Sequence, residues 1–474
     1  MTATAARFSI SITPNWRLSG ELSGLFVPFL PFRLHPLLNM DYQQATAWLD
    51  QLQFFKIKLG LDTTSALLAE LGNPQEQLKI IHIAGTNGKG SVGATLLSIL
   101  SASGYRTGFY SSPHLSSVRE RFRIGDQCIP QADFAQLVGR LAAFLEGRPN
   151  PTYFEFTTIL ALLWFAEQQA DVVILETGMG GRLDATNVVK PQVAIITDIS
   201  RDHEQHLGST LAAIAGEKAG IVKPGVPTIF SGREAEALPV IEARCRELQS
   251  PLLLYGRDFD GARNRAELLD YRPIHGPARS NLPLALHGDH QAVNASLALA
   301  ALELLAPVFP VSPQALIEGL RQVRWPGRME LLATPRQGET GQNKTLRWLL
   351  DGAHNEAGVA ALLAALQQGF PRRRLLLVWG NMADKHLGEA FVEILTLADE
   401  VVFTRAESQR SATPEALYAA LPPQFQAKAR CSETVEQALT LIKHRAAPED
   451  LICVAGSLYL VGRVRQLLIG DEDQ

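Results

Sequence analysis

Short apolar runs alternate with longer stretches of helical periodicity, and this alternation constrains the fold more than any other feature of the sequence. In the first part of the chain the runs lie at Ile80–Ala84, 172–175 and Val193–Ile196, and each is apolar on both faces. Strands of a parallel sheet covered on both sides have this composition, because neither face meets water. Stretches between them, such as 157–168, are long enough for crossover helices. The sequence therefore predicts a doubly wound α/β domain.

A glycine-rich loop follows the first predicted strand and precedes a helical pattern. Its residues are Gly85, Thr86, Asn87, Gly88, Lys89, Gly90 and Ser91. Glycines allow a tight turn that points backbone N–H groups at phosphate oxygens, and the following helix offers its positive end. Lys89 can reach the outer phosphates as a point charge, and Ser91 or Thr86 can support phosphate or magnesium.

The spacing of this loop differs from the common G-x-x-x-x-G-K-[ST] pattern. Only two residues separate Gly85 from Gly88, and Gly90 separates the lysine from the serine. A turn that merely caps a helix is the alternative interpretation. The position between strand and helix, together with Lys89, favours phosphate binding and predicts a P-loop ATPase-like domain.

The same alternation of strands and helices returns near the C-terminus and predicts a second, smaller, Rossmann-like α/β domain. Its strands are expected at 346–350, Leu375–Trp379, 401–404 and Leu451–Ala455. Between the two series, Pro326 and Gly327 would interrupt any helix. We therefore predict a central domain at 40–322, a linker at 323–332 and a C-terminal domain at 333–474.

Polar residues follow two of the predicted strands of the first domain. Glu176 ends the run 172–175, and Asp202 and His203 come shortly after the run Val193–Ile196. Ligands collect beyond the carboxyl ends of strands in open α/β sheets, and a carboxylate there suits magnesium. The alternatives are a surface glutamate and a structural histidine. A zinc-protease motif is excluded, because His203 and His206 are spaced i, i+3 instead of i, i+4.

Four further residues carry weak signals when they are taken alone. Lys218 looks like a solvated helix residue, Asn294 like a helix surface residue and Arg328 like a linker charge. Asp351 could simply cap a helix, but it follows a predicted strand and carries a stronger signal than Asn294 or Arg328.

Composition excludes several classes of function. The formal net charge is -4, which argues against a general nucleic-acid binder. The four cysteines are scattered without a C-x-x-C pair, which favours reduced thiols in the cytoplasm. No apolar run reaches the ~18 residues of a membrane helix. Residues 1–39 lack the ordered features of a signal peptide, and we expect them to be an extension outside the fold.

Taken together, the motifs resemble the Mur ligase superfamily and, within it, the folate branch of bacterial dihydrofolate synthase/folylpolyglutamate synthases. The resemblance covers residues 40–468 and rests on motifs at 82–92, 110–115, 152–156, 176–188, 202–203, 217–223, 288–295, 325–330, 350–355 and 456–459. The segments 152–156 and 183–187 point to the folate branch. The departures are Thr177, where relatives often carry valine, and the additional residues 1–39.

The resemblance implies a nucleotide and metal site. The loop 85–91 would bind the phosphates of ATP, with Asn294, Arg328 and Asp351 completing the nucleotide site. Magnesium, in two ions, would be held by Ser112, Glu176 and His203. Lys218 would be a carbamate that helps to hold the second ion, and a monovalent cation is also allowed.

The resemblance further implies the substrate residues. His354, with Lys89 and Lys218, would belong to the catalytic group, and His354 and Ser457 would place L-glutamate. The pterin of dihydropteroate or of a reduced folate would contact Phe154, Leu183, Asp184, Ala185 and the segment 58–61. A monomer is expected.

This chemistry makes an amide from a carboxylate and an amine. Transfer of the γ-phosphoryl group of ATP gives an acyl phosphate, which the amine of glutamate attacks, so that ADP and phosphate are released. Three alternatives stay open: a Mur-type ligase for a UDP-linked acceptor, a nucleotide-binding regulator without activity, and a simple kinase.

Overall fold

The computed structural model describes residues 36–52, 60–335, 345–383, 388–405 and 411–470. The strands are β1 Ile80–Ala84, β2 Thr107–Tyr110, β3 Phe122–Ile124, β4 Gln127–Cys128, β5 Val172–Glu176, β6 Val193–Ile196, β7 Thr228–Phe230, β8 Leu252–Leu254, β9 Asp260–Arg263, β10 Leu269–Arg272, β11 Arg279–Leu282, β12 Glu330–Pro335, β13 Thr345–Leu350, β14 Leu375–Trp379, β15 Glu400–Thr404, β16 Ala429–Ser432 and β17 Leu451–Ala455.

The helices of the central domain are α1 Tyr42–Gln51, α2 Asp62–Glu70, α3 Lys89–Ala102, α4 Gln131–Phe144, α5 Tyr153–Glu167, α6 Glu204–Leu207, α7 Leu211–Lys218, α8 Leu238–Glu247, α9 His290–Leu305 and α10 Pro313–Gln322. Those of the C-terminal domain are α11 Glu356–Gln368, α12 Gly388–Leu397, α13 Pro414–Ala419, α14 Pro423–Gln426, α15 Val435–Arg445 and α16 Leu458–Ile469.

The central domain is built on an eight-stranded sheet with the order β4-β3-β2-β5-β1-β6-β7-β8. The six strands in the run β2-β5-β1-β6-β7-β8 pair in parallel. Strands β3 and β4 add an antiparallel edge beside β2. Alternate residues of β1 enter different cores. Ile81 and Ile83 pack with α3 and α9, whereas Ile80 packs with α4 and α5 on the other face. The predicted doubly wound sheet is confirmed.

The C-terminal domain contains a six-stranded sheet with the order β12-β13-β17-β14-β15-β16, parallel except for β12. Leu377 packs with α11 and α12, and its neighbour Val378 packs with α15 and α16, so this sheet is also covered on both faces. The linker prediction needs a correction. Strand β12 begins at Glu330, inside the predicted linker 323–332, because β12 pairs along its whole length with β13.

Two peripheral segments differ from the sequence predictions or lie partly beyond the described residues. The polar stretch 258–283 predicts an irregular excursion, yet it folds into the antiparallel sheet β9–β10–β11. Residues 1–35 of the predicted extension 1–39 lie outside the described residues. Residues Pro36–Asn39 form a 3-10 helix that packs against α4, so these four residues belong to the fold.

Two predictions from composition concern cysteines and membrane helices. All four cysteines are free thiols. In the described ranges, no helix combines the length and the apolar character that crossing a bilayer requires.

His82 lies at the centre of β1 and is completely buried. Burial, with a smaller contribution from the charge of Lys223, lowers the pKa of His82 to about 3. The hydroxyl of Thr186 donates to the Asp184 carboxylate at 2.6 Å, so the His82 Nε2–H donates to Thr186 at 2.9 Å. The native ring is therefore neutral, while the unfolded ring gains a proton below its ordinary pKa of about 6.5.

The difference in His82 protonation between the native and the unfolded protein makes the stability depend on pH. The native state binds fewer protons than the unfolded state between about pH 3 and pH 6.5, so stability falls as the pH is lowered through that window. Between pH 7 and pH 5 the loss from His82 is about 2 kcal/mol. A His82→Gln variant should therefore show a smaller fall in the free energy of urea unfolding over this interval.

The exposed His275→Gln variant is the control for this measurement. Its fall in unfolding free energy between pH 7 and pH 5 should match that of the parent protein. An unchanged fall in His82→Gln would show that His82 does not contribute to acid destabilisation.

Candidate active site

A cavity of about 1370 Å³ lies between the central and C-terminal domains. Residues that the sequence predicts for nucleotide, metal and glutamate binding line this single cavity, although they come from distant parts of the chain. They are Gly85, Thr86, Asn87, Gly88, Lys89, Gly90, Ser91, Ser112, Glu176, His203, Lys218, Asn294, Arg328, Asp351, His354 and Ser457.

The phosphate loop is held tightly against the segment that follows β6. Gly85 has a φ of +154°, and a Cβ atom there would lie 1.8 Å from the hydroxyl oxygen of Thr197. The Thr197 hydroxyl donates to the carbonyl of Asn87 at 2.7 Å, and the Thr86 N–H donates to the carbonyl of Asp198 at 2.7 Å. Only glycine allows this approach, so the first glycine serves packing as well as the turn.

The Thr86 hydroxyl is occupied within the protein. It donates to the carbonyl of Ser200 at 3.0 Å and accepts from the N–H of Ser200 at 3.1 Å. Of the two hydroxyls proposed to support phosphate or magnesium, Thr86 thus fixes the shape of the loop. Ser91, in the first turn of α3, is the better placed of the two for a ligand.

Lys89 and Glu176 face each other at the end of the sheet. The Lys89 ammonium donates to the carbonyls of Gly85 and Thr86 at 3.1 and 3.2 Å and lies 4.0 Å from a carboxylate oxygen of Glu176. The N–H of Ser112 donates to Glu176 at 3.3 Å. Burial raises the pKa of Glu176 to about 7, although Lys89 and this hydrogen bond oppose the rise.

His203 lies at the opposite side of the loop. It has a φ of +52°, directly precedes α6 and is exposed. Its neighbour Asp202 accepts from the side-chain amide of Asn355 at 3.2 Å, and the same amide donates to the side-chain oxygen of Asn87 at 3.2 Å. One C-terminal side chain therefore contacts both the phosphate loop and the segment that carries His203.

Lys218 is the residue that interpretation of the sequence alone missed. It is the last residue of α7 and is 2 % exposed, although its sequence context predicts a solvated helix residue. Burial, assisted by the charge of Lys89, lowers the pKa of Lys218 to about 7. The ammonium has no hydrogen bond or ion pair with any described residue.

A signal for this burial is present in the sequence beside Lys218. A Cβ atom at Gly220 would lie 2.2 Å from the backbone of Arg182, and one at Gly181 would lie 2.9 and 3.0 Å from the carbonyl oxygens of Glu217 and Lys218. Small residues directly after a lysine thus mark a segment that packs against another loop.

Asn294 contacts the phosphate loop from the central domain, whereas Asp351 lines the cavity from the C-terminal domain. Asn294 is buried in α9. A Cβ atom at Gly88 would lie only 2.5 Å from the side-chain oxygen of Asn294, so the two residues are in close contact. The Asp351 carboxylate accepts from the N–H groups of Met329 and Ala353 at 2.8 and 2.9 Å. Burial raises the pKa of Asp351, and the nearby positive charge of Arg328 opposes the rise. Asp351 therefore joins the linker to the end of β13, a role the sequence does not indicate.

His354 and Ser457 lie on the C-terminal wall of the cavity. The His354 Nδ1–H donates to the carbonyl of Gly352 at 2.7 Å, which fixes the orientation of the ring. The Ser457 hydroxyl accepts from the N–H of Tyr459 at 3.2 Å and caps α16.

The predicted pterin residues do not line the cavity. Asp184 is buried and accepts from the N–H groups of Met179 and Thr186 at 2.9 and 3.0 Å, so it shapes the loop after β5. Phe154 packs against Gly178, where a Cβ atom would lie 2.6 Å from its ring. Leu183 is half-buried and Ala185 is buried. Of the predicted segment 58–61, residues 58 and 59 lie outside the described residues.

The predicted metal ligands fit a hard cation. Glu176 is a buried carboxylate whose nearest described cation, Lys89, is 4.0 Å away, which leaves room for further positive charge. Within the described residues, no group of three His, Cys, Asp or Glu side chains could hold a metal ion. A cation at Glu176 would therefore need further ligands such as phosphate oxygens, which matches the preference of magnesium for oxygen and substrate phosphates.

Two family models match the chain. The Mur ligase middle domain matches residues 83–302, and the Mur ligase glutamate ligase domain matches residues 327–458. Among curated relatives, the dihydrofolate synthase/folylpolyglutamate synthase of Bacillus subtilis is 32% identical over 442 residues, covering 90% of this chain and 99% of that protein. The protein of the same name from Escherichia coli is 34% identical and covers 89% of this chain and 94% of its own length.

Solved structures agree with these matches. The Mycobacterium tuberculosis folylpolyglutamate synthase complexed with ADP superimposes with a TM-score of 0.81 at 31% identity, over 91% of this chain and 98% of that one. E. coli FolC in complex with DHPP and ADP gives a TM-score of 0.80 at 31% identity with the same coverage. The chain therefore belongs to the Mur ligase family, in its dihydrofolate synthase/folylpolyglutamate synthase branch.

Proposed function

We propose that this chain, an ATP-dependent ligase of the folate branch, joins L-glutamate both to dihydropteroate and to reduced folates that already carry glutamate. The observation that carries the proposal is that the phosphate loop, Glu176, Lys218 and the C-terminal residues His354 and Ser457 line one cavity. The relatives in B. subtilis and E. coli bear both activities in their names, and the sequence 183–187 is of the folate type.

The first step is transfer of the γ-phosphoryl group of ATP to the acceptor carboxylate. This transfer needs positioning and charge neutralisation more than a protein nucleophile. The loop supplies backbone N–H groups at the start of α3. Lys89 moves from the carbonyls of Gly85 and Thr86 to the outer phosphates. Ser112, Glu176 and His203 would hold magnesium, which neutralises charge on the phosphates when it is bound.

Lys218 carries a carbamate in this proposal. Reaction of an amine with carbon dioxide requires the neutral amine, and burial with a nearby like charge favours that form of Lys218. The product is an anion that can help to hold a second cation. The burial of Lys218 and its lack of a hydrogen bond or ion pair with a described residue support this role over that of a structural ion pair. A monovalent cation is an additional candidate without a specific contact in its favour.

The second step is attack of the glutamate amine on the acyl phosphate. His354 and Ser457 lie on the C-terminal wall and would orient glutamate, and Arg328 would add positive charge near the oxyanion. We propose that closure of the C-terminal domain assembles the two halves. The contacts of Asn355 with Asn87 and Asp202 support this, because they join the domains at the loop. A monomer suffices, since both halves belong to one chain.

Two rival functions are disfavoured by specific residues. A regulator without activity has no need of a buried Lys218 beside Lys89, and a kinase that makes a stable phosphate ester has no need of a carbamate. A ligase for UDP-linked acceptors shares the ATP site, so only the acceptor distinguishes it.

The acceptor is tested by measuring phosphate release together with amide product. Dihydropteroate with glutamate and a reduced monoglutamyl folate with glutamate should both give product, whereas a UDP-linked acceptor should give none. Product from only one folate would limit the activity to that reaction. Product from the UDP-linked acceptor alone would refute the folate assignment.

The carbamate is tested with Lys218→Ala. Loss of the anion should lower kcat by about a hundredfold or more, in the range typical for removing an electrostatic group from a site. Circular dichroism and ADP affinity should stay close to the parent values. Lys218→Arg should be as inactive, since a guanidinium forms no carbamate.

The control for this pair is Lys190→Ala, an exposed lysine outside the cavity, which should keep normal turnover. Near-normal activity of Lys218→Ala would contradict the carbamate role.

The proposed domain closure is tested with Asn355→Ala. Removal of both interdomain hydrogen bonds should raise the KM for ATP and lower kcat. Together these changes should reduce kcat/KM by about thirtyfold, since two bonds of roughly 1 kcal/mol each are lost. Steady-state kinetics give both constants. Unchanged kcat/KM would mean that these bonds play no part in closure.

A further inference from the structure

Arg121 is a charged residue at the edge of the central sheet that the reaction as described does not use. It is the last residue of the 3-10 helix Val118–Arg121 and directly precedes β3. Its carbonyl accepts from the N–H of Ser111 at 3.1 Å. This hydrogen bond sets Arg121 beside the end of β2, next to the proposed metal ligand Ser112.

The order of the strands in the sheet shows where Arg121 lies relative to the phosphate loop. Strands β3, β2, β5 and β1 are successive neighbours in the sheet, and neighbouring strands are about 4.8 Å apart. At this edge, Arg121, Ser112, Glu176 and the phosphate loop therefore follow one another in that order. A group bound by Arg121 would lie on the side of Glu176 that is opposite the loop.

Arg121 is buried and forms no ion pair with a described residue, although its charge opposes the raised pKa of Glu176. Arg121 is 8 % exposed, and its Nε–H donates to Nδ1 of His114 at 2.9 Å. In the described part of the chain, its two terminal nitrogens have no hydrogen-bond partner, and it forms no ion pair. A guanidinium stays charged in proteins, and burying an uncompensated charge is unfavourable. A bound anion would compensate it.

An aromatic ring lies beside this cation. The guanidinium carbon is 5.3 Å from the centroid of the Tyr153 ring. A guanidinium beside an aromatic face fits a carboxylate that is attached to an aromatic group, because the fork binds the oxygens and the ring packs against the aryl part.

We propose that Arg121 binds the carboxylate of the acceptor and holds it beside Glu176, facing the phosphate loop. This inference rests on the proposed function, since that function requires a carboxylate acceptor. The planar guanidinium offers two parallel N–H donors, which fix the direction of a carboxylate in a way that a lysine cannot. Glutamate also has carboxylates, but it has no ring to pack against Tyr153, so we assign Arg121 to the acceptor.

The test compares ligands with and without the carboxylate, in the absence of ATP. Affinities of the full-length protein are measured for dihydropteroate and for the same molecule with hydrogen in place of the carboxylate. The parent protein should prefer the carboxylate form by about tenfold to a hundredfold, the range for charge-assisted hydrogen bonds. Arg121→Gln and Arg121→Lys should both reduce this preference to about threefold or less.

The matched control is Arg123→Gln, which removes the same charge two residues further along β3 and away from the ligand edge. This variant should keep the preference of the parent protein. ADP affinity serves as the check of folding for all variants. If Arg121→Gln loses ADP binding, the preference for the carboxylate form measured with Arg121→Lys tests the role of Arg121.

The outcomes separate the two proposals. A parent protein that binds neither ligand would overturn the assignment of the acceptor, and the role of Arg121 with it. A parent protein that discriminates, with Arg121 variants that discriminate equally, would overturn the role of Arg121 alone. An effect of the Arg121 variants on the KM for glutamate without an effect on acceptor affinity would also overturn it.

Discussion

The parallel pairing of β2, β5, β1 and β6 brings the carboxyl ends of four strands to one edge of the central sheet. The segment after β2 carries Ser112, β5 ends in Glu176, β1 leads into the phosphate loop, and the segment after β6 holds that loop. None of these groups is close to the others in sequence. Their proximity follows from backbone hydrogen bonds between strands, so the site depends on the register of the sheet before it depends on any side chain.

The phosphate loop is held in place by the segment that follows β6. Close packing of Gly85 on Thr197, and the paired hydrogen bonds between Thr86 and Ser200, fix the backbone through the neighbouring segment after β6. A loop that is braced from outside needs fewer residues of its own. The unusual glycine spacing is thus matched by contacts that the loop sequence does not reveal.

The parts of the molecule that could be predicted are those in which a local pattern determines the structure. Strands such as β1 and β5 are apolar on both faces, and this is sufficient to recognise them. Glu176 could be predicted as a site residue because it ends such a strand. The polar stretch 258–283 was harder, since its short antiparallel strands have exposed faces and weak alternation.

The burial of Lys218 could not be predicted by periodicity, because α7 is short and the contact that covers its end comes from a distant loop. For Asp351, the sequence indicates a strand-end carboxylate, but its hydrogen bonds to Met329 and Ala353 arise only when the linker folds back. Arg121 gives no signal in sequence. Its lack of an ion-pair partner among the described residues becomes visible only when its surroundings are known. In each case a long-range contact decides what a local pattern leaves open.

The two hydrogen bonds of the Asn355 amide have a thermodynamic consequence. They connect the C-terminal domain to Asn87 of the phosphate loop and to Asp202 beside His203. Any ligand that favours the joined arrangement is in turn bound more tightly by it, because coupling free energy between two sites is reciprocal. Under the proposed function, nucleotide at the loop and glutamate on the C-terminal wall would then each raise the affinity for the other.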